Sequence, residues 1–130
     1  MSYSAYAGGN TNAPIDTWIK AQESGADAIT AKAGGGQATA TVLAATCNNV
    51  VTVASAADSV QLPLAAAGLT VFVKNTHATN AVQVFAANGS TDTIDGTAGS
   101  TGTSLAATKA AVYFCALSAP GGKWFRILTA

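Results

Sequence analysis

The stretch Leu69-Thr70-Val71-Phe72-Val73-Lys74-Asn75, then Thr76-His77-Ala78-Thr79-Asn80, then Ala81-Val82-Gln83-Val84-Phe85-Ala86, decides the fold class. Val, Thr and Phe recur with a period of two on either side of a polar turn, the pattern of two β-strands rather than a helix. Leu69, Val71 and Val73 share one face and Phe72 and Lys74 the other, while Val82, Val84 and Ala86 oppose Gln83 and Phe85. The reading is a hairpin. Both faces carry apolar groups, so both are expected to be covered.

Working outward, the same period appears from Thr39 onward, with strands expected near 39–46, 49–55, 59–64, 69–75, 81–86, 103–107, 110–117 and 123–128. Ala111-Val112-Tyr113-Phe114-Cys115-Ala116-Leu117 and Lys123-Trp124-Phe125-Arg126-Ile127-Leu128 flank Ser118-Ala119-Pro120-Gly121-Gly122, a strong turn sequence and a second hairpin. Short strands at such spacing, with no long helical pattern between them, predict an all-β fold. The expected form is an antiparallel β-sandwich, jelly-roll-like, or a small barrel.

Residues 1–38 read differently. Residues 1–13 lack periodicity and are expected as an extended arm whose only large anchors are Tyr3 and Tyr6. Pro14 suits the first turn of a short helix in which Ile15, Trp18, Ile19 and Gln22 fall on one side, ended by Gly25. The stretch from Ala26 through Gly34-Gly35-Gly36 is expected as a flexible connector. The chain thus divides into an arm, helix and connector over 1–38 and one β-domain over 39–130.

Composition narrows the function. The 130 residues include 30 Ala, 17 Thr, 13 Gly and 9 Ser, and charged residues make up 9%, against roughly 25% in an ordinary soluble domain. Six Lys or Arg balance six Asp or Glu, which is not the basic footprint of a nucleic-acid binder. Few titratable groups are available for acid-base catalysis, so no enzyme is expected. No apolar run approaches the roughly 20 residues of a bilayer span and the N-terminus lacks signal-peptide character, so the chain is expected to be made in the cytoplasm, with no membrane partner. A neutral, sparsely charged surface with 49% apolar residues tends to self-associate, so contact with other subunits is expected.

Candidate chemistry is thin. Cys47 and Cys115 allow one bridge, but a reducing compartment favours free thiols. His77, in a polar turn, has no sequence reason to approach either thiol and no neighbours with which to hold a metal. It reads as an exposed turn residue, a possible surface contact. Asp92 and Asp95 lack the alternating ligands and closing Glu of a calcium loop and read as turn formers. The Gly34–Gly36 triplet fails the context of a phosphate cradle, because no strand-to-helix step brackets it. Trp124 and Phe125 beside Tyr113 and Phe114 supply either core or an exposed stacking surface for sugars. No cofactor or metal is expected.

Taken together, Leu69–Asn75, Ala81-Val82-Gln83-Val84-Phe85, Asp92-Thr93-Ile94-Asp95-Gly96, Ser104-Leu105, Lys109–Phe114 and Gly122-Lys123-Trp124-Phe125 resemble a β-module of tailed-phage virion proteins. These include small capsid decoration (cement) proteins and parts of head and tail fibres. Asp95 stands where that pattern has Asn. The resemblance spans about residues 69–128 and implies a structural virion protein, a homotrimer without catalytic residues. A chain of this length suits a decoration protein on the capsid exterior, with the major capsid protein as partner and Tyr3, Tyr6, Ile15, Trp18 and Ile19 as apolar anchors of the arm. The alternative is a head-fibre or tail-fibre adhesion module that binds host carbohydrate, with Trp124 in its stacking surface and His77 at the surface.

Overall fold

The computed structural model describes residues 24–130, together with the backbone of two short strands, β1 (Tyr6–Ala7) and β2 (Asn10–Thr11), which pair antiparallel. The expected helix beginning at Pro14 lies outside the described residues. From Gly25 onward the chain is all-β, and no helix occurs among the described residues. Eleven strands follow: β3 (Gly25–Thr30), β4 (Thr41–Val42), β5 (Cys47–Thr52), β6 (Ser59–Gln61), β7 (Thr70–Asn75), β8 (Val82–Phe85), β9 (Thr93–Ile94), β10 (Thr97–Ala98), β11 (Thr103–Leu105), β12 (Ala110–Leu117) and β13 (Lys123–Leu128).

The strands form a seven-stranded sheet, ordered β10-β9-β13-β12-β7-β5-β3, and a four-stranded sheet, ordered β11-β8-β6-β4. Buried side chains of both sheets form one cluster. Val50, Val71, Val73, Tyr113 and Trp124 come from the larger sheet, and Val60, Val82, Val84 and Leu105 from the smaller. Both sheets are mixed, which corrects the antiparallel expectation. From β3 to β8 successive strands alternate between the sheets, and each pairs in parallel with the strand two places earlier in its own sheet. Cys47 lies opposite Phe72, and Val60 opposite Val84. This part of the chain is therefore wound, whereas β11, β12 and β13 close the sheets with antiparallel pairs.

The expected hairpin over 69–86 is accordingly not one: β7 and β8 belong to different sheets. The polar turn between them carries the chain across the core. The Asn75 side chain is fully buried and its amide donates to the carbonyls of Asn80 (2.9 Å), Leu105 (3.2 Å) and Ala106 (3.3 Å). Asn80 in turn donates to Val53 and Ala54 carbonyls, so this turn is held on the one that follows β5. The second expected hairpin is present as β12 and β13, with Phe114 opposite Phe125 and Cys115 opposite Trp124.

The Gly34–Gly36 stretch is not a loose connector. All three glycines have φ between +68° and +87°, and a Cβ on Gly35 would lie 2.2 Å from the Ala57 carbonyl oxygen. Only glycine meets both demands without strain. The loop it forms covers the outward side of the four-stranded sheet: Ser59 Oγ donates to the Gly36 carbonyl, and Gln61 Nε2 to the Gln37 and Ala40 carbonyls. Gln37 Nε2 reaches back to the carbonyls of Ala86 and Ala87.

Asp58 anchors the neighbouring turn. Its buried carboxylate accepts from the N–H groups of Ala54 (2.7 Å), Ser55 (3.2 Å) and Gly34 (3.3 Å) and from the Ser55 hydroxyl (2.9 Å). Burial pushes the pKa up, but these donors, led by the Ser55 hydroxyl, outweigh it and hold the carboxyl below its usual value. A depressed carboxylate pKa contributes stability above the unfolded value of about 3.9 and loses it as pH falls through the folded value. The melting temperature is therefore expected to fall below about pH 4, and Asp58→Asn to lower it at pH 7 and flatten that acid limb. Thermal melts of both proteins from pH 2 to 7 check this.

Candidate functional site

Among the described residues, nothing covers the outward face of the seven-stranded sheet. Alternation along β7 turns Val71, Val73 and Asn75 inward and Thr70, Phe72 and Lys74 outward. On β12, Val112 and Phe114 point outward, and on β13 so do Lys123, Phe125 and Ile127. Register then aligns two cross-strand rows. One runs Cys47, Phe72, Val112, Ile127 over four strands, and the other Thr70, Phe114, Phe125 over three. Phe72 is 44% exposed, Ile127 64%, and Phe114 and Phe125 38% each. The Phe114 and Phe125 rings stack with centroids 5.9 Å apart.

The first row floors a groove of about 600 Å³, rimmed by Asp27 of β3 and Lys74 of β7. Neither rim charge is free to roam. Asp27 accepts from Asn49 Nδ2 (2.7 Å) and the Ala28 N–H (2.8 Å), and the Asn49 bond foremost holds its carboxyl below the usual range. The Lys74 ammonium donates to the Thr108 carbonyl. The two rim charges thus already have partners, whereas the buried Oδ1 of Asn48, which also lines the groove, has none.

The smaller sheet has its loop; the larger has no counterpart among the described residues. Scattered apolar side chains on a surface are ordinary, whereas contiguous rows of Phe, Val and Ile make this face the candidate for an interaction surface. Sequence alternation did place Phe72 opposite Val71 and Val73. It missed the rows, because these depend on which strands become neighbours.

Other expected sites fall differently. Trp124 is fully buried in the core and does not offer a stacking surface, since its alternation on β13 sets it inward opposite Cys115. His77 is half-buried rather than open, and its Nδ1 accepts from the N–H groups of Asn80 (3.0 Å) and Thr79 (3.3 Å), fastening the turn. Tyr3, Ile15, Trp18 and Ile19, and the Tyr6 side chain, lie outside the described residues. Both thiols are free: Cys47 is exposed and Cys115 buried, and burial pushes the Cys115 thiol pKa up.

Asp92 and Asp95 do more than shape a turn. Asp92 is buried, and its carboxylate accepts from the N–H groups of Ala65 (3.0 Å) and Gly122 (2.9 Å). Asp95 and Gly96, at φ 51° and 78°, form the two-residue turn between β9 and β10, matching the Asp-Gly preference of such hairpins. Asp95 Oδ2 lies 2.8 Å from Arg126 Nε, an ion pair at the sheet margin. Among the described residues no three His, Cys, Asp or Glu side chains gather where they could hold a metal, and no helix is long and apolar enough to cross a membrane. Comparison with protein-family models, with curated proteins and with solved structures finds no match to this chain.

Proposed function

We propose that this chain is a structural virion protein, a capsid decoration protein that binds the assembled head of a tailed phage as a trimer and stabilises it. The observation that supports the reading is the bare outer face of the larger sheet on a molecule with so little charge. Two sheets over one core suit a sandwich-like body, with this face turned toward neighbouring copies or the major capsid protein. A ligand that binds only the intact shell shifts the equilibrium away from breakage, which is cementing by mass action. The reading assigns no catalytic residue and no cofactor, and it places the protein on the capsid exterior.

The test is direct. Purified protein added to mature heads that lack it is expected to bind and raise their melting temperature, read by calorimetry. A double variant, Phe114→Ser with Phe125→Ser, is expected to fold with a lowered melting temperature, because each ring is more than half covered and the stacked pair itself contributes about 0.5–1.5 kcal/mol, and to lose head binding at temperatures well below that melt. Binding unchanged by the double variant removes the face from the account. A second reading has one observation in its favour: the exposed Phe114–Phe125 pair has the flat apolar surface on which a fibre or adhesion module stacks a sugar. Retention on cell-wall polysaccharide, abolished by the same variant, identifies that case.

A further inference from the structure

The continuously described part of the chain begins at the groove. Ser24 is bonded to the start of β5: its carbonyl accepts the Cys47 N–H (3.0 Å) and its hydroxyl accepts the Thr46 N–H (3.2 Å). Cys47 is also the first member of the Cys47–Phe72–Val112–Ile127 row. Whatever precedes Ser24 therefore leaves from the end of an uncovered apolar row. What precedes it is a segment with an apolar stripe, Ile15, Trp18 and Ile19 at i, i+3 and i+4, continued at i+7 by the polar Gln22, and a charged stripe, Asp16, Lys20 and Glu23. An amphipathic segment is stable only when its apolar stripe is covered.

We propose that residues 14–22 of the same chain lie along this groove in the free protein, setting Ile15, Trp18 and Ile19 on the Cys47–Phe72–Val112–Ile127 row and leaving Asp16, Lys20 and Glu23 to solvent. The dimensions agree. Trp18 is six residues before Ser24, a reach of about 9 Å if helical and about 20 Å if extended. The row crosses three strand spacings, about 14 Å in all. A tether this short holds the segment at an effective concentration in the millimolar range, so its own groove is favoured over that of a neighbour. The Phe114–Phe125 pair, on the other row, stays open. The inference concerns the isolated protein and holds whatever partner the open row meets.

Cys47 is a built-in probe, since Cys115 is buried. Under native conditions an aromatic disulfide reagent is expected to label Cys47 in the full chain about tenfold more slowly than in a chain starting at Ser24, because the thiol reacts only when the segment lifts. Trp18→Ala in the full chain is expected to recover most of that rate, which keeps the test usable should the shortened chain misfold. Equal labelling of all three proteins overturns the proposal. Protection that survives both changes and grows with protein concentration overturns it in favour of a second copy as the cover. Trp18→Cys is expected to form a disulfide with Cys47 within one chain, detected by mass, and disulfide-linked dimers overturn the assignment to the same chain.

Discussion

Asp92→Ala is expected to lower the stability of the β-domain by about 3–5 kcal/mol, because it strands two buried N–H groups at about 1–3 kcal/mol each and leaves a small void. The carboxylate joins three places distant in sequence: the strand it precedes, the segment at Ala65 and the turn between β12 and β13 at Gly122. Its neighbours leave little room for repair. A Cβ on Gly122 would lie 2.7 Å from Asp92 Oδ1 and 2.2 Å from the Ala65 side chain, and a Cβ on Gly99 would lie 2.5 Å from the Asp92 carbonyl oxygen. The melting temperature read by circular dichroism is expected to drop by roughly 10–20 °C. Asp92→Asn, which turns an amide N–H toward one of the two donors, is expected to lose about half as much stability. A change under a few degrees for the alanine variant shows that the carboxylate is not the tie.

Trp124→Ala is expected to cost about 4–5 kcal/mol, the upper part of the range for large aromatic truncations, and the variant is expected to lose cooperative unfolding. The side chain is fully buried in the cluster that both sheets share, beside Ile94 of β9 and Cys115 of β12 in register. Its Nε1 has no hydrogen-bond partner. Trp124→Phe gives up volume but also removes that orphaned donor, and is expected to lose markedly less. Chemical denaturation of the two variants separates a packing role from surface recognition. An alanine variant as stable as the parent, with ligand binding lost, restores Trp124 to a surface site.

How far the sequence revealed the fold depended on how local each signal is. Ala110–Leu117 and Lys123–Leu128 match the expected strands closely, because Pro120-Gly121-Gly122 stops one and the Val, Tyr, Phe and Trp alternation fixes both. The partition of strands between sheets was hidden. Alternation in Thr70–Asn75 and Val82–Phe85 is the same whether the polar turn reverses the chain within a sheet or crosses to the other. The crossing is tied by the buried Asn75 amide, which donates to Asn80 within the turn and to the distant carbonyls of Leu105 and Ala106. Gly25-Ala26-Asp27-Ala28-Ile29-Thr30 has weak strand propensity and an interrupted register, with Ala28 at φ 58°, and forms because β5 templates it. The Gly34–Gly36 triplet reads as looseness in sequence, yet its positive φ values are a shape no other residue adopts readily.

The candidate surface was half legible. Alternation separated Phe72 from Val71 and Val73 and promised an apolar outer face, but not its rows, since these arise from pairings such as Phe72 with Val112 and Phe114 with Phe125. It also left open which member of the Trp124–Phe125 pair faces out. Packing answers that, by giving the inward position to Trp124. One practical consequence follows for deletion experiments: a cut that removes the arm must end by Glu23, because Gly25–Thr30 is a strand of the larger sheet.

On the proposed function, another protein covers the open row of the larger sheet when the molecule assembles. Carbene footprinting of the protein free and bound to phage heads measures this side chain by side chain. Phe114 and Phe125 are expected to lose most of their labelling on binding, while Val42, exposed on the four-stranded sheet, keeps its own. Binding with Phe114 and Phe125 still fully labelled contradicts it.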